Sequence, residues 1–386
     1  MLPEPTVYHA LRAEISRAAL RHNIRRVRAG AASADVVAVV KADAYGHGAG
    51  LVVPVLRAEG VERFAVATLA EAQALRQSVL PAPAPLLVLG APRPEALAAY
   101  AALGLGLVVS SEQVAAELAA SGQRPAEVHV KVDTGMHRLG VAPSAAPAVL
   151  ARLRAAGLAA DGLWTHFATA DGADVSFVAE QAGRFQAVLD ALGDAVPPLV
   201  HVQNGPAAVR GLGAVRLPPS ARLLVRAGGA LYGLASGAAL GEAMAAFRPA
   251  MRLVADVVHV QTVAAGETVS YGRTWRADRP TRVATLAAGY ADGVPRALSG
   301  QGEVGIAGRR YAVAGRVCMD MLMVDLGAPD GPGSAVRPGD AAVIWGPGGP
   351  SAAEAAEAAG TMAYELTAGL TGRVARVPAE RFAVLS

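Results

Sequence analysis

The stretch EVHVKVDTGMHR, residues 127–138, decides the fold. Val128, Val130 and Val132 alternate with His129, Lys131 and Asp133, so an extended strand here has one apolar side and one side carrying three polar groups. With the valines packed on helices, the polar row points into a barrel, where it needs partners or a ligand. Seven more β-branched or Leu-rich runs flank it: VVAVVK (36–41), RFAVAT (63–68), PLLVLG (85–90), LGLVVS (105–110), GLWTHFA (162–168), PLVHVQN (198–204) and ARLLVRA (221–227). Between most of them lie segments at helical spacing, such as LAEAQALRQ (69–77) and FVAEQAGRFQAVLDAL (177–192). Eight strands regularly alternating with helices predict an α/β chain whose residues 1–245 form a TIM-type (β/α)8 barrel rather than an open sheet.

Beyond residue 245 the pattern changes. MRLVADVVHVQTV (251–263), TRVATLAAGY (281–290), VGIAGRRYAVAGRVCMDMLMVDL (304–326) and AAVIWG (341–346) follow one another with Gly and Pro punctuation, which predicts a mainly β domain over 246–386. SAAEAAEAAG (351–360) predicts one helix there, with Ser351 as its N-cap and Gly360 beyond its end. The first ten or so residues are expected to pack with this second domain.

Composition narrows the function. A chain of 386 residues with 53% hydrophobic and 17% charged residues is well buried and long enough for two domains. A formal net charge of +3, evenly spread, does not fit nucleic-acid binding. The one cysteine, Cys318, excludes an intrachain disulfide and suits a reducing cytoplasm. The opening MLPEPTVYHALRAE has no signal-peptide pattern, no stretch reaches membrane-span length, and the histidines show no metal-site spacing, so a cytoplasmic protein without a metal or a membrane partner is expected.

Of the 35 Lys and Arg residues only Lys41 and Lys131 are lysine. Arginine stays protonated, whereas a buried lysine can become a neutral nucleophile. Lys41 ends the first barrel strand, with Tyr45 four residues on, and barrel active sites lie at that end of the strands. The sixth strand ends in Trp164-Thr165-His166, the seventh in Asn204-Gly205 and the eighth in Arg226-Ala227-Gly228-Gly229. Loops after strands seven and eight commonly bind phosphate, and glycines there let backbone N–H groups approach it. A lysine across from a phosphate cradle points to pyridoxal phosphate bound covalently to Lys41. Lys131 is open to two readings: an ion-pair partner of Asp133, or a lysine kept because its chemistry requires a neutral amine.

AVVKADAYGHG, KVDTGMHRLG, THFATAD, HVQNG, VRAGGALYG, VSYGRTW, GYADG and CMDM, in that order along nearly the whole chain, resemble the motifs of the bacterial alanine racemases, fold-type III pyridoxal phosphate enzymes. The resemblance implies a homodimer in which each active site is completed by the partner's second domain, and a small amino-acid substrate. It implies interconversion of L- and D-alanine by two bases, supplying D-alanine for peptidoglycan. On this resemblance Lys41 is the cofactor lysine and the base on the D side, and Tyr271 the opposing base. Arg138 and Met319 meet the substrate. Tyr45, Asn204, Gly205, Gly228, Gly229 and Tyr364 hold the cofactor, Arg226 faces its ring nitrogen and His166 links toward the tyrosine. Tyr290 and Arg296 lie at the entrance, and Lys131 matches a lysine that carries a carbamate in many members.

Two positions depart from the family pattern. Gly205 stands where a serine usually meets the phosphate, and Gly229 replaces a usually larger residue. Other readings fit less well. The GHGAG run (46–50) lacks dinucleotide-loop spacing. A non-catalytic cofactor carrier needs no second domain. A related decarboxylase calls for an acid near the ring nitrogen and a catalytic cysteine, for which only Cys318 is available. A racemase of broader amino-acid range remains an alternative.

Overall fold

The computed structural model describes residues 10–31 and 34–383, apart from the side chain of Ala238. The chain divides into two compact units: a barrel unit, Leu20–Gly233 with Gly237–Arg248, and a β-rich unit formed by the N-terminal residues up to Ala19, Leu234–Ser236 and Pro249–Ser386. The expectation for roughly the first ten residues falls mostly outside the described part. What is described shows β1, Leu11–Ser16, inside the β-rich unit.

The eight expected barrel strands form: β2 Asp35–Val39, β3 Arg63–Val66, β4 Leu86–Val88, β5 Gly106–Val109, β6 Glu127–Lys131, β7 Gly162–Trp164, β8 Leu199–His201 and β9 Arg222–Ala227. All are parallel, and β9 pairs with β2 to close the barrel. Alternate residues fill the interior with a cluster of Val37, Val39, Ala65, Leu87, Val108, Trp164, Leu199 and Leu224. His129 and Lys131 are buried inside, as alternation on β6 predicts. Asp133 lies past the strand end and binds its own loop instead. Strands are shorter than the sequence runs: Lys41, His166 and Asn204 stand just beyond strand ends rather than in strands.

In the β-rich unit, β10 (Met251–Val263) has the length read from the sequence and serves two sets of neighbours. Its first half pairs with β1 and Ala341–Trp345, and after a bulge at Val257/His259 its second half pairs with Thr281–Leu286. β1 also pairs, in parallel, with Ala375–Ala379. Buried Arg252 on β10 sits opposite Glu14 on β1 and donates to its carboxylate through two nitrogens, at 2.6 and 3.0 Å, a charge-assisted pair that offsets desolvation. The run 304–326 is not continuous strand: Glu303–Ile306, Arg309–Ala312 and Leu322–Gly327 are strands, and the segment between the last two is a loop. The expected helix is Ala352–Ala358, capped by Ser351 with a reciprocal bond from Glu354, and a second, Ala363–Ala368, follows. No helix among the described residues is long and apolar enough to cross a membrane.

Candidate active site

Lys41 begins a turn that the sequence does not announce. Ala42, Asp43, Ala44 and Tyr45 all have positive φ, from 50° to 57°. Left-handed backbone costs L-residues about 1–2 kcal/mol each, so the neighbourhood must hold the turn. The Ala42 N–H donates to Glu71 Oε1 at 2.7 Å, and Asp43 Oδ1 accepts from Ala49 N–H at 2.7 Å. Glu71 Oε2 also accepts from the Ala67 and Thr68 N–H groups, so one carboxylate caps the helix Leu69–Ser78 and anchors the lysine turn. Burial, and then the nearby Arg138 guanidinium, lower the Lys41 pKa, with Glu71 opposing.

The turn aims Tyr45 at the backbone after β9. The Tyr45 ring packs on Tyr232, centroids 5.1 Å apart, and the buried Tyr232 hydroxyl donates to Val39 O at 2.9 Å. A Cβ on Gly228 would fall 2.5 Å from Tyr45 Oη, so only glycine admits this approach. A Cβ on Gly205 would lie 3.6 Å from the Gly228 nitrogen. Asn204 caps the short helix Gly205–Arg210 by accepting from Ala207 N–H at 3.1 Å, and its Nδ2 donates to Phe167 O at 3.2 Å. Gly229 follows Gly228 and is buried. Tyr45, Gly205 and Gly228 thus converge into a small cradle with backbone at its rim.

Arg226 is buried at the end of β9. Its Nη1 donates to His201 O at 2.8 Å and His201 Nδ1 at 3.1 Å, and its Nη2 to Thr165 O at 2.8 Å, with His166 Nδ1 and Val202 O at 3.3 Å. Among the described residues its Nε–H has no acceptor, which leaves one donor of an otherwise engaged guanidinium for a ligand. Burial, and then Arg138, bring the Arg226 pKa down to about 9. His166 is held neutral, its pKa pushed well down by burial and then by Arg226, Arg138, Lys131 and Lys41. Lys131 Nζ and Arg226 Cζ lie 5.0 and 4.7 Å from the centroid of the same Trp164 ring. Burial, then Arg138 and Arg226, lower the Lys131 pKa to about 8, with Asp133 opposing. Among the described residues no ion pair joins Lys131 to Asp133. That carboxylate takes Gly135 N–H and His137 N–H, both at 3.0 Å, and His137 Nδ1 at 3.2 Å.

The remaining expected residues lie in the β-rich unit. Tyr271 follows Ser270, whose φ is 69° and whose hydroxyl donates to Arg316 O at 2.7 Å. The Tyr290 N–H donates to Cys318 O and the Ala291 N–H to Met319 O, so Tyr271, Tyr290 and Met319 gather around one loop, 316–321. Tyr271 is 72% exposed, Met319 52% and Tyr290 41%. Arg296 opens the turn Arg296–Leu298, and Tyr364 lies in the helix Ala363–Ala368. Cys318 is half-buried beside the Ser270 hydroxyl, with no disulfide. Sequence reasoning missed Glu71, Tyr232 and His201. His201 left a signal, because it shares a face with Leu199 in an alternating run, and Glu71 left one in the Thr68-x-x-Glu71 capping-box spacing, whereas Tyr232 left none.

The description "Alanine racemase, N-terminal domain" matches residues 15–236, and "Alanine racemase, C-terminal domain" matches residues 250–378. An alanine racemase of Deinococcus radiodurans is 43% identical over 365 residues, covering 94% of this chain and 97% of that protein. The crystal structure of the biosynthetic alanine racemase of Pseudomonas aeruginosa is 38% identical and superposes with a TM-score of 0.84 over 96% of this chain and 100% of that one. The Bartonella henselae alanine racemase, solved with covalently bound pyridoxal phosphate, is 26% identical, with a TM-score of 0.84 over 97% and 100% of the two chains. With both halves matched and identity sustained across nearly the full length, this chain belongs to the alanine racemase family of isomerases.

Proposed function

We propose that this chain is a cytoplasmic, pyridoxal phosphate-dependent alanine racemase that acts as a homodimer and supplies D-alanine for peptidoglycan. The observation that carries the reading is Arg226. A buried guanidinium, with every N–H but one engaged by the protein, offers a cation where transaminases and decarboxylases need an acid. The donor set fits the cofactor: a lysine of lowered pKa, a free Arg226 Nε–H and a glycine cradle that a Cβ on Gly228 would fill.

When bound, pyridoxal phosphate delocalises the electron pair that Cα keeps when its proton leaves. The chain's residues do the rest. Lys41 carries the cofactor and its amine takes or returns the Cα proton on the D side, a role that its lowered pKa supports. Tyr271 of a second copy serves the opposite face. Its exposed ring supports that role, as does the location of every exposed large hydrophobic among the described residues in the β-rich unit, the surface a partner copy covers. Arg138 binds the substrate carboxylate, helped by the Met319 backbone. Tyr45, Asn204, Gly205, Gly228, Gly229 and Tyr364 hold the phosphate, and Tyr290 and Arg296 line the entrance. Arg226 limits charge build-up on the ring, which keeps the reaction a racemisation. His166, neutral beside Arg226, orients the tyrosine side. Lys131 carries a carbamate that faces Arg138: its buried, readily deprotonated amine supports this, and Asp133 is already occupied. The test is racemisation of L- and D-alanine, serine and larger amino acids with added cofactor. Conversion of alanine supports the reading, activity on all of them selects the broad-range alternative, and CO2 release without racemisation overturns it.

A further inference from the structure

Behind Arg226, on the side away from the cradle, a line of hydrogen bonds runs down the barrel interior. Arg226 Nη1 meets His201 Nδ1 at 3.1 Å, His201 Nε2 meets His129 Nδ1 at 3.0 Å, and His129 Nε2 meets Glu127 Oε2 at 3.1 Å. Glu127 Oε1 then accepts from Arg63 Nη1 at 2.7 Å, where β3 and β6 begin.

The direction of this line follows from its ends. A guanidinium only donates and an ionised carboxylate only accepts. His201 Nδ1 must therefore be bare, which puts the His201 proton on Nε2. His129 Nδ1 must accept that proton's bond, which puts the His129 proton on Nε2, where Glu127 receives it. Both ends dictate one polarity, and no ring nitrogen is left over. Burial pushes the Glu127 carboxyl up, but its bonds from His129 and Arg63 outweigh that and hold its pKa below the usual range, so it stays ionised. Burial, then Arg226, push His201 well down, so it stays neutral.

Packing fixes the rings as firmly as the bonds. Trp164 stacks on His201 at 5.2 Å with an interplanar angle of 5°. A Cβ on Gly162 would sit 2.0 Å from His129 Nδ1, so β7 has a glycine where the His129 ring passes. Barrel interiors are ordinarily filled with branched apolar residues. Two imidazoles and a carboxylate there, with all polar atoms matched, are costly to assemble and tolerable only as a complete network.

We propose that Glu127, His129 and His201 form a positioning relay that holds the Arg226 guanidinium with its Nε–H toward the cofactor's ring nitrogen. The proposal rests on the cofactor reading above. The relay touches neither substrate nor cofactor. It acts through Arg226 alone, as the rear support that keeps Nη1 engaged.

Two measurements test it. In histidine-labelled holoenzyme at pH 8, ¹⁵N–¹H correlation spectra should show His129 and His201 as neutral rings protonated at Nε2; an Nδ1-protonated or doubly protonated ring at either position overturns the relay. Second, His201→Leu removes the rear acceptor while His201→Asn keeps one toward Arg226. If Arg226 loses its orientation, more turnovers leave the alanine amino group on the cofactor and release pyruvate. His201→Leu should raise pyruvate released per racemisation about tenfold, the scale of one charge-assisted hydrogen bond, and His201→Asn should restore it. That ratio is counted per turnover, so simple loss of folded enzyme does not change it. An unchanged ratio in an active His201→Leu enzyme overturns the proposal, and if that variant does not fold, the tautomers decide alone. Expected tautomers in a protein that binds no cofactor would fault the functional reading and leave the network standing.

Discussion

Glu71 Oε1 accepts the backbone N–H of Ala42, the residue after Lys41, at 2.7 Å. The same carboxylate caps a helix and, from a distance, raises the Lys41 pKa. Glu71→Ala strips acceptors from three backbone donors and should lower stability by about 1–3 kcal/mol in denaturant unfolding. Glu71→Gln addresses the charge. A protonated amine cannot take a proton, and removing a nearby anion favours the neutral amine. The acid limb of D-alanine turnover should therefore move to lower pH. A limb that stays put or moves up contradicts Lys41 as the base whose pKa Glu71 tunes.

Lys41→Arg should abolish covalent attachment of the cofactor. Borohydride reduction followed by peptide mass spectrometry should find the cofactor's mass on the Lys41 peptide of the parent protein and on no peptide of the variant. Attachment elsewhere sinks the assignment.

Tyr271→Phe should suppress proton exchange chiefly from L-alanine, read as solvent deuterium at Cα; equal loss from both enantiomers argues against two bases. Sharing between copies has its own signature. Random re-pairing of Tyr271→Phe with Lys41→Ala subunits leaves one intact site in each mixed dimer, so about a quarter of parental activity should return. No recovery after exchange is demonstrated would place both bases in one copy.

Gly205→Ser should tighten cofactor binding. The added Cβ meets the Gly228 nitrogen at 3.6 Å, ordinary contact, and its hydroxyl supplies a hydrogen bond to a charged group, about 1.5–3 kcal/mol or at least tenfold in Kd. Weaker binding would mean that the cradle has closed around its glycine.

Lys131 should show a carbamate carbon by ¹³C spectroscopy in labelled bicarbonate, absent from Lys131→Met. A bare ammonium at that position would leave Arg138 without the anion proposed for it.

The barrel was legible because its strands are runs of β-branched residues at regular spacing, and because alternation in EVHVKVD reveals an inward polar row. The same test on PLVHVQN would have found His201. The turn after Lys41 was not legible: Ala-Asp-Ala-Tyr contains no glycine or asparagine, and what holds it, Glu71, lies on another helix. β1 was hidden because LRAEIS is rich in helix-favouring residues although Leu11, Ala13 and Ile15 share its buried face. Nor did composition show that the 304–326 run breaks to form the loop carrying Met319, a matter of backbone contacts with 289–291.

β1 lies between β10 and Ala375–Ala379, so a strand from the beginning of the chain is hydrogen-bonded to one from its end. During synthesis the barrel's eight strands leave the ribosome long before residue 375, while β1 waits for both neighbours. A fragment beginning at residue 246 would lack β1, leaving the first half of β10 with a raw edge open to strands of other chains and Ala375–Ala379 with no strand to pair with. The β-rich unit is thus contiguous in space but not in the gene, and transplanting it requires carrying residues 11–16 along.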